Sequence, residues 1–198
     1  MEEFPPLVAR ARAVARSSGF PLTREEAAAG TPSASLPGVG RFLAMLAAGC
    51  GGGRIAELGT GVGIGAAWLA SAMPADCSLV TVEIDPVRAA AARELLAADP
   101  RVSVVTGDAR AVIARLGPFD LLFYDGGAVD YAELVSLLRV GGRVVMDDVT
   151  PLEALPSGSP LVASDPKREF FFGDPRLVSV EVVLPDLRNS LLVGTRTA

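Results

Sequence analysis

The chain has 198 residues, half of them hydrophobic and 21% charged, a globular composition of about one domain's length. Its net charge of −5 argues against a broad phosphate-backbone footprint, because non-specific nucleic-acid affinity comes mainly from Lys and Arg; no nucleic-acid partner is expected. The absence of histidine removes imidazole bases, Ser-His-Asp triads and histidine metal sites.

The opening MEEFPP lacks the basic and apolar regions of a secretory signal, which leaves a cytoplasmic location as the expectation. From Pro5 to Arg16, residues Leu7, Val8, Ala11, Val14 and Ala15 recur at helical spacing, and Ser17-Ser18-Gly19 supplies a stop. Thr23, followed three residues on by Glu26, has the capping-box pattern and predicts a short helix ending at Gly30. The stretch TPSASLPG reads as a loop, and Leu36 to Ala48, opening with Pro37, as a third helix. After Gly49, short apolar runs alternate with helical segments, the pattern of a mostly parallel sheet covered on both faces. Strands are predicted at Arg54 to Leu58, Ser78 to Glu83, Val102 to Thr106, Phe119 to Tyr124 and Arg143 to Asp147. The intervening helices are Ile64 to Ala72, Pro86 to Ala98, Ala109 to Leu116 and Val129 to Leu138, Ala- or Leu-rich and without internal proline. Leu177 to Leu184 and Ser190 to Arg196 are strand-like and joined by a turn at Pro185 to Asn189, predicting an antiparallel hairpin. No linker or repeat divides the chain, so residues 1–198 form one domain, with 1–49 as an N-terminal helical cap and 50–198 as the core. No apolar run approaches the roughly 18 residues of a membrane helix, and no membrane partner is expected.

The run ELGTGVGIG, Glu57 to Gly65, follows a strand and precedes a helix, where glycines let the backbone approach a ligand and the helix N-terminus offers free N–H groups. The strict dinucleotide pattern is broken, since Ile64 and Ala66 stand where it needs glycine. Glu83 ends the second strand about twenty residues on, where a carboxylate can accept both ribose hydroxyls of a nucleoside. Asp85 fits the N-cap of the following helix, and Asp108, in Gly107-Asp108-Ala109, suits either an adenine amino group or a cap. Asp125, Asp147 and Asp148 emerge at the carboxyl edge of the sheet; as hard oxygen ligands they suit Mg²⁺ or Ca²⁺, and as turn residues they would need no ion. Cys50 and Cys77 lack CxxC spacing and read as inert thiols. Without histidine, acid–base chemistry falls to carboxylates, Tyr124, Tyr131, a thiol, a metal-bound water or Lys167, the one lysine among 18 basic residues, which reads as a solvated surface charge.

Glu57 to Gly65, the VEIDP of Val82 to Pro86, the GDA of Gly107 to Ala109, YDGG with Tyr131, and LLRVGGRVVMDDV together resemble the catechol and caffeoyl-CoA type of O-methyltransferase and its bacterial relatives. The resemblance implies an α/β, Rossmann-like class I methyltransferase fold: a seven-stranded, mostly parallel sheet with a C-terminal antiparallel hairpin and N-terminal helices. It implies S-adenosylmethionine as cofactor, a small-molecule hydroxylated acceptor, a divalent Mg²⁺ or Ca²⁺ ion, and a homodimer as one oligomeric expectation. The cofactor would meet Glu57, Gly59, Thr60, Gly61, Gly63, Glu83, Asp108, Ala109 and Asp125. The metal would lie at Asp125, Asp147 and Asp148, with Asp125 and Asp148 as catalytic positions. Two departures stand out: Asp148 replaces the family's usual asparagine, and Ala128 occupies the position of its lysine. They keep open a second reading, a degenerate adenosylmethionine-binding regulatory or oligomer-forming protein. A nicotinamide-dependent oxidoreductase is a third, weakened by the broken glycine pattern and the terminal hairpin. The acceptor pocket is expected from the N-terminal helices and the Thr150 to Phe172 loop, whose Phe170, Phe171 and Phe172 read as a packed aromatic cluster.

Overall fold

Short apolar strands bounded by glycine or charge assemble one seven-stranded sheet in the order β3-β2-β1-β4-β5-β7-β6. In the computed structural model, which describes residues 3–28, 31–113, 115–125, 130–185 and 189–198, the strands are β1 (Arg54–Leu58), β2 (Ser78–Glu83), β3 (Val102–Thr106), β4 (Phe119–Tyr124), β5 (Leu138–Val149), β6 (Leu177–Val183) and β7 (Ser190–Arg196). β1 to β5 pair in parallel, whereas β7 runs antiparallel between β5 and β6. This is the class I methyltransferase arrangement expected from the motifs.

Alternation along each strand divides the core in two. Ile55, Leu79, Leu121 and Phe123 point to the face covered by α1 (Pro6–Ser18), α2 (Pro37–Ala48), α3 (Ile64–Ala72) and α4 (Pro86–Leu96). Ala56, Leu58, Leu122 and Tyr124 point to the other, covered by α5 (Ala109–Ile113), α6 (Tyr131–Ser136) and α8 (Pro166–Gly173). α1 buries Val8, Ala11 and Ala15 and stops at Gly19, whose φ of 71° closes the helix in the left-handed conformation. α2 meets α3 at Gly40, where a Cβ would lie 2.1 Å from Trp68 Nε1; the missing side chain sets how closely those helices pack.

Three local expectations are corrected. The segment after Thr23 is a single turn and not a helix, although Thr23 Oγ1 accepts the Glu26 N–H at 3.3 Å and Glu26 Oε2 accepts the Leu22 N–H at 2.8 Å. One turn fixes several dihedrals for few bonds, and nothing extends it; its expected end at Gly30 lies outside the described residues. β5 begins at Leu138 instead of Arg143, passing through Gly141 and Gly142 with a register shift opposite β4. The segment from Thr150 to Phe172 is not plain loop: it holds a 3₁₀ turn (Leu152–Ala154), α7 (Pro160–Ala163) and most of α8. Phe171 is buried and Phe170 packs on Tyr131 with ring centroids 5.5 Å apart, which is part of the expected aromatic cluster, whereas Phe172 is exposed.

Candidate active site

β1 and β4 are neighbours at the sheet's centre although they are far apart in sequence, and where strand order reverses a crevice opens beyond the carboxyl ends. A cavity of about 760 Å³ occupies that position. On one side, Gly59, Gly61 and Gly63 take φ of 98°, 54° and 98°, turning the chain sharply from β1 into α3. Glu83 fixes this turn: its Oε2 accepts the Gly61 N–H at 2.7 Å, while its Oε1 accepts from Asp85 N–H at 3.0 Å and from Arg88 Nη2 at 2.8 Å. Asp85 caps α4 by accepting from Val87 and Arg88, which leaves Glu83 facing the cavity. Asp108 is exposed, accepts the Arg110 N–H at 2.9 Å at the start of α5, and also lines the cavity.

Glu57 lies just behind that wall. Strand alternation turns it towards α3, where Thr81 Oγ1 donates to its Oε2 at 2.5 Å and Thr60 stands 2.5 Å from the same hydroxyl. Burial pushes the Glu57 carboxyl up to about 8, against the lowering effect of the Thr81 hydrogen bond.

On the opposite side stand the aspartates. Asp125 follows β4, with Ser35 Oγ at 3.5 Å from its Oδ2, and burial followed by the charges of Asp147 and Asp148 holds its carboxyl well above the usual carboxylate range. Asp147 is buried; its Oδ1 accepts the Asp148 N–H at 2.8 Å, and burial raises it to about 6. Asp148 sits at a bulge in β5 with φ of 61°, and its side chain turns outward into an ion pair with Arg24. Lys167 is not the solvated surface charge its sequence position implied. Its Nζ donates to the carbonyl oxygens of Asp147 at 3.1 Å and Asp148 at 2.9 Å, and burial draws the ammonium below the usual lysine range.

Gly59, Thr60, Gly61, Glu83, Asp108 and Ala109 all line the cavity, as do Asp125, Asp147 and Asp148. Glu57 and Gly63 do not: Glu57 faces the interior, and a Cβ on Gly63 would lie 3.1 Å from Leu95 in α4. The carboxylates share one edge, yet among the described residues no group of three or more acidic or thiol side chains is arranged to hold a metal ion. Phe20, Arg24 and residues 31–36 line the cavity on the N-terminal side, and the Thr150 to Phe172 segment contributes none of the described lining. Ala128 lies outside the described residues. Sequence reasoning missed Arg24, whose partner is 124 residues away and leaves no local signal.

Residues 56–149, from β1 to the end of β5, match the family model described as a methyltransferase domain. A Mycobacterium bovis protein, whose name gives it only provisionally as an O-methyltransferase, is 38% identical over 133 residues, 62% of this chain and 59% of that protein. A catechol O-methyltransferase of Niastella koreensis is 36% identical over 140 residues, 64% of this chain and 63% of that protein. Over these residues the chain is similar in sequence to O-methyltransferases. The O-methyltransferase TomG of Streptomyces achromogenes, solved in complex with SAM, superposes with a TM-score of 0.74 at 24% identity, over 99% of this chain and 92% of TomG, so the two share a fold. The chain spans about six tenths of the length of the curated relatives it matches. Among the described residues no helix is long and apolar enough to cross a membrane.

Proposed function

We propose that this chain is an O-methyltransferase that binds S-adenosylmethionine across the β1/β4 crevice and transfers its methyl group to a hydroxyl of a small molecule. The observation that carries the reading is electrostatic. Glu57, Asp125 and Asp147 bring raised carboxyl groups to or just behind the cavity lining, raised because burial first and neighbouring carboxylates second disfavour their charge. A cationic ligand relieves both, since opposite charge in a poorly solvated site favours the ionised carboxylate. Adenosylmethionine brings a sulfonium and an ammonium. A nicotinamide dinucleotide brings an anionic pyrophosphate, which this wall would repel, so the oxidoreductase alternative is disfavoured.

In this reading Glu83, held by Gly61 and Arg88, offers its remaining lone pairs to the ribose hydroxyls. Gly59, Thr60 and Gly61 border the methionine part, Asp108 and Ala109 the adenine, and Asp125 the sulfonium end. Glu57 acts from behind the wall and Gly63 by shaping the turn. The acceptor enters beside Ser35 and Asp125 under the segment bearing Phe20 and Arg24. Its oxygen forms a bond to the methyl carbon as the carbon–sulfur bond breaks and the electron pair passes to sulfur, leaving S-adenosylhomocysteine; the hydroxyl proton leaves to solvent or a carboxylate. Alignment of oxygen, carbon and sulfur supplies most of the acceleration such a displacement needs. Mg²⁺ or Ca²⁺ assistance does not fit the donor set, because the Asp148 carboxylate is committed to Arg24, and no step is routed through an ion.

Ala128 favours the second reading, a cofactor-binding protein without transfer, because it supplies no lysine beside Asp125. Incubation with methyl-labelled adenosylmethionine and a panel of catechols, phenols and aliphatic alcohols decides between the two. Label in an extractable methyl ether supports transfer. Tight cofactor binding with no labelled product across the panel supports the second reading.

A further inference from the structure

We propose that Arg24 is the resident cation of the acidic edge, standing beside Asp148 in the position a divalent ion would need, so that this site works without a bound metal. The proposal rests on the acceptor side of the cavity lying at Asp125 and Asp147, and not on which molecule is methylated.

A hard divalent ion needs several oxygen ligands converging at short range, most strictly for Mg²⁺. Here several oxygens of that edge, though not the Asp125 carboxylate, are already engaged by nitrogens of the chain. The Asp148 carboxylate is ion-paired with the Arg24 guanidinium. Asp147 Oδ1 accepts the Asp148 N–H at 2.8 Å. The carbonyl oxygens of Asp147 and Asp148, the next hard donors, both accept from Lys167 Nζ, at 3.1 and 2.9 Å. Asp148, at φ of 61° in the bulge of β5, presents its side chain to Arg24.

Charge follows the same logic. A guanidinium stays protonated throughout the working pH range and is more weakly hydrated than an ammonium, so it can neutralise a carboxylate at a half-open edge without coordination geometry. Arg24 belongs to the cavity-lining segment before α2, so its ion pair also ties that segment to the end of β5. Lys167, on α8, adds its ammonium at the carbonyls of Asp147 and Asp148. Two cations of the chain thus meet this pair of aspartates.

The test is a Mn²⁺ titration of the full chain, followed by the paramagnetic resonance of free Mn²⁺, on wild type, Arg24→Lys, Arg24→Gln and Arg24→Gln combined with Asp148→Asn. Circular dichroism checks folding, and adenosylmethionine calorimetry on the same samples tests cofactor binding separately. The expected result is no stoichiometric Mn²⁺ binding by wild type or Arg24→Lys, an affinity at least about tenfold higher in Arg24→Gln, and loss of that gain in the double variant. One tightly bound Mn²⁺ per wild-type chain overturns the proposal, as does equal Mn²⁺ affinity in wild type and folded Arg24→Gln. Failure of cofactor binding would count against the methyltransferase reading and leave the Mn²⁺ result standing.

Discussion

Gly65 stands where a side chain would strike Glu57: a Cβ built there lies 2.1 Å from Glu57 Oε1 and 3.3 Å from its Cδ. The first turn of α3 therefore closes on the end of β1 only because residue 65 has no side chain. The Glu57 carboxyl, although at the end of a flexible side chain, is buried and its Oε2 is held by Thr81 at 2.5 Å, which resists its displacement. Gly65→Ala should cost about 1–3 kcal/mol, the usual scale of overpacking. Urea denaturation measures it, and adding Glu57→Ala should recover part of the loss. An unchanged midpoint for Gly65→Ala would show that Glu57 moves freely.

A harder collision is expected at Gly40, where a Cβ would lie 2.1 to 2.3 Å from three atoms of the buried, rigid Trp68 indole. Gly40→Ala should destabilise more than Gly65→Ala, at or above the upper end of the same ~1–3 kcal/mol scale. A double-mutant cycle with Trp68→Leu should show strong non-additivity; additive effects would mean that the helices separate without cost.

Stability should fall from mildly acidic to mildly alkaline pH. Glu57 is raised to about 8 and Asp147 to about 6, and Asp125 is raised as well. Between the ordinary carboxylate range near about 4 and those values, the folded protein keeps protons that the unfolded chain has lost, so unfolding becomes easier as pH rises. The opposite sign applies below about 4, where Glu181 beside Arg168, Asp99 beside Arg101 and Asp174 beside Arg176, all held below their ordinary values, lose their stabilising charge. Tm should therefore peak near about pH 5, and Glu57→Gln should flatten the decline towards pH 8. A wild-type Tm that climbs between those values would contradict the assignment.

Much of this was legible in the sequence because its signals are local. β1 to β4 and α3 have the bounds read from short apolar runs and their flanking glycines, and Asp85 caps α4 as its place before Pro86 implied. What escaped depends on contacts between distant residues. The Thr23 capping pattern was real as hydrogen bonds yet made one turn, since no tertiary surface extends it. Lys167 read as a solvated surface charge and Arg24 drew no reading at all, and only the fold brings them to Asp147 and Asp148. The cavity lining was only partly legible for the same reason: the segment before α2 contributes to it as expected of the N-terminal region, whereas the Thr150 to Phe172 segment contributes none of the described lining.

Glu83→Ala should weaken adenosylmethionine binding by about 1–3 kcal/mol, the scale for losing hydrogen bonds to a charged acceptor. Loss of the Gly61 contact would loosen the turn and act in the same direction. Calorimetry on the folded variant checks this, and an unchanged affinity would remove Glu83 from the site.

Calorimetric titration of the wild-type chain with S-adenosylmethionine, and separately with NADH, tests the central claim most directly. The account predicts saturable binding of one adenosylmethionine per chain near pH 7, with an apparent enthalpy that varies with the buffer because the raised carboxyls release protons to a cationic ligand. NADH should give no saturable heat. Saturable NADH binding together with no adenosylmethionine binding would contradict it.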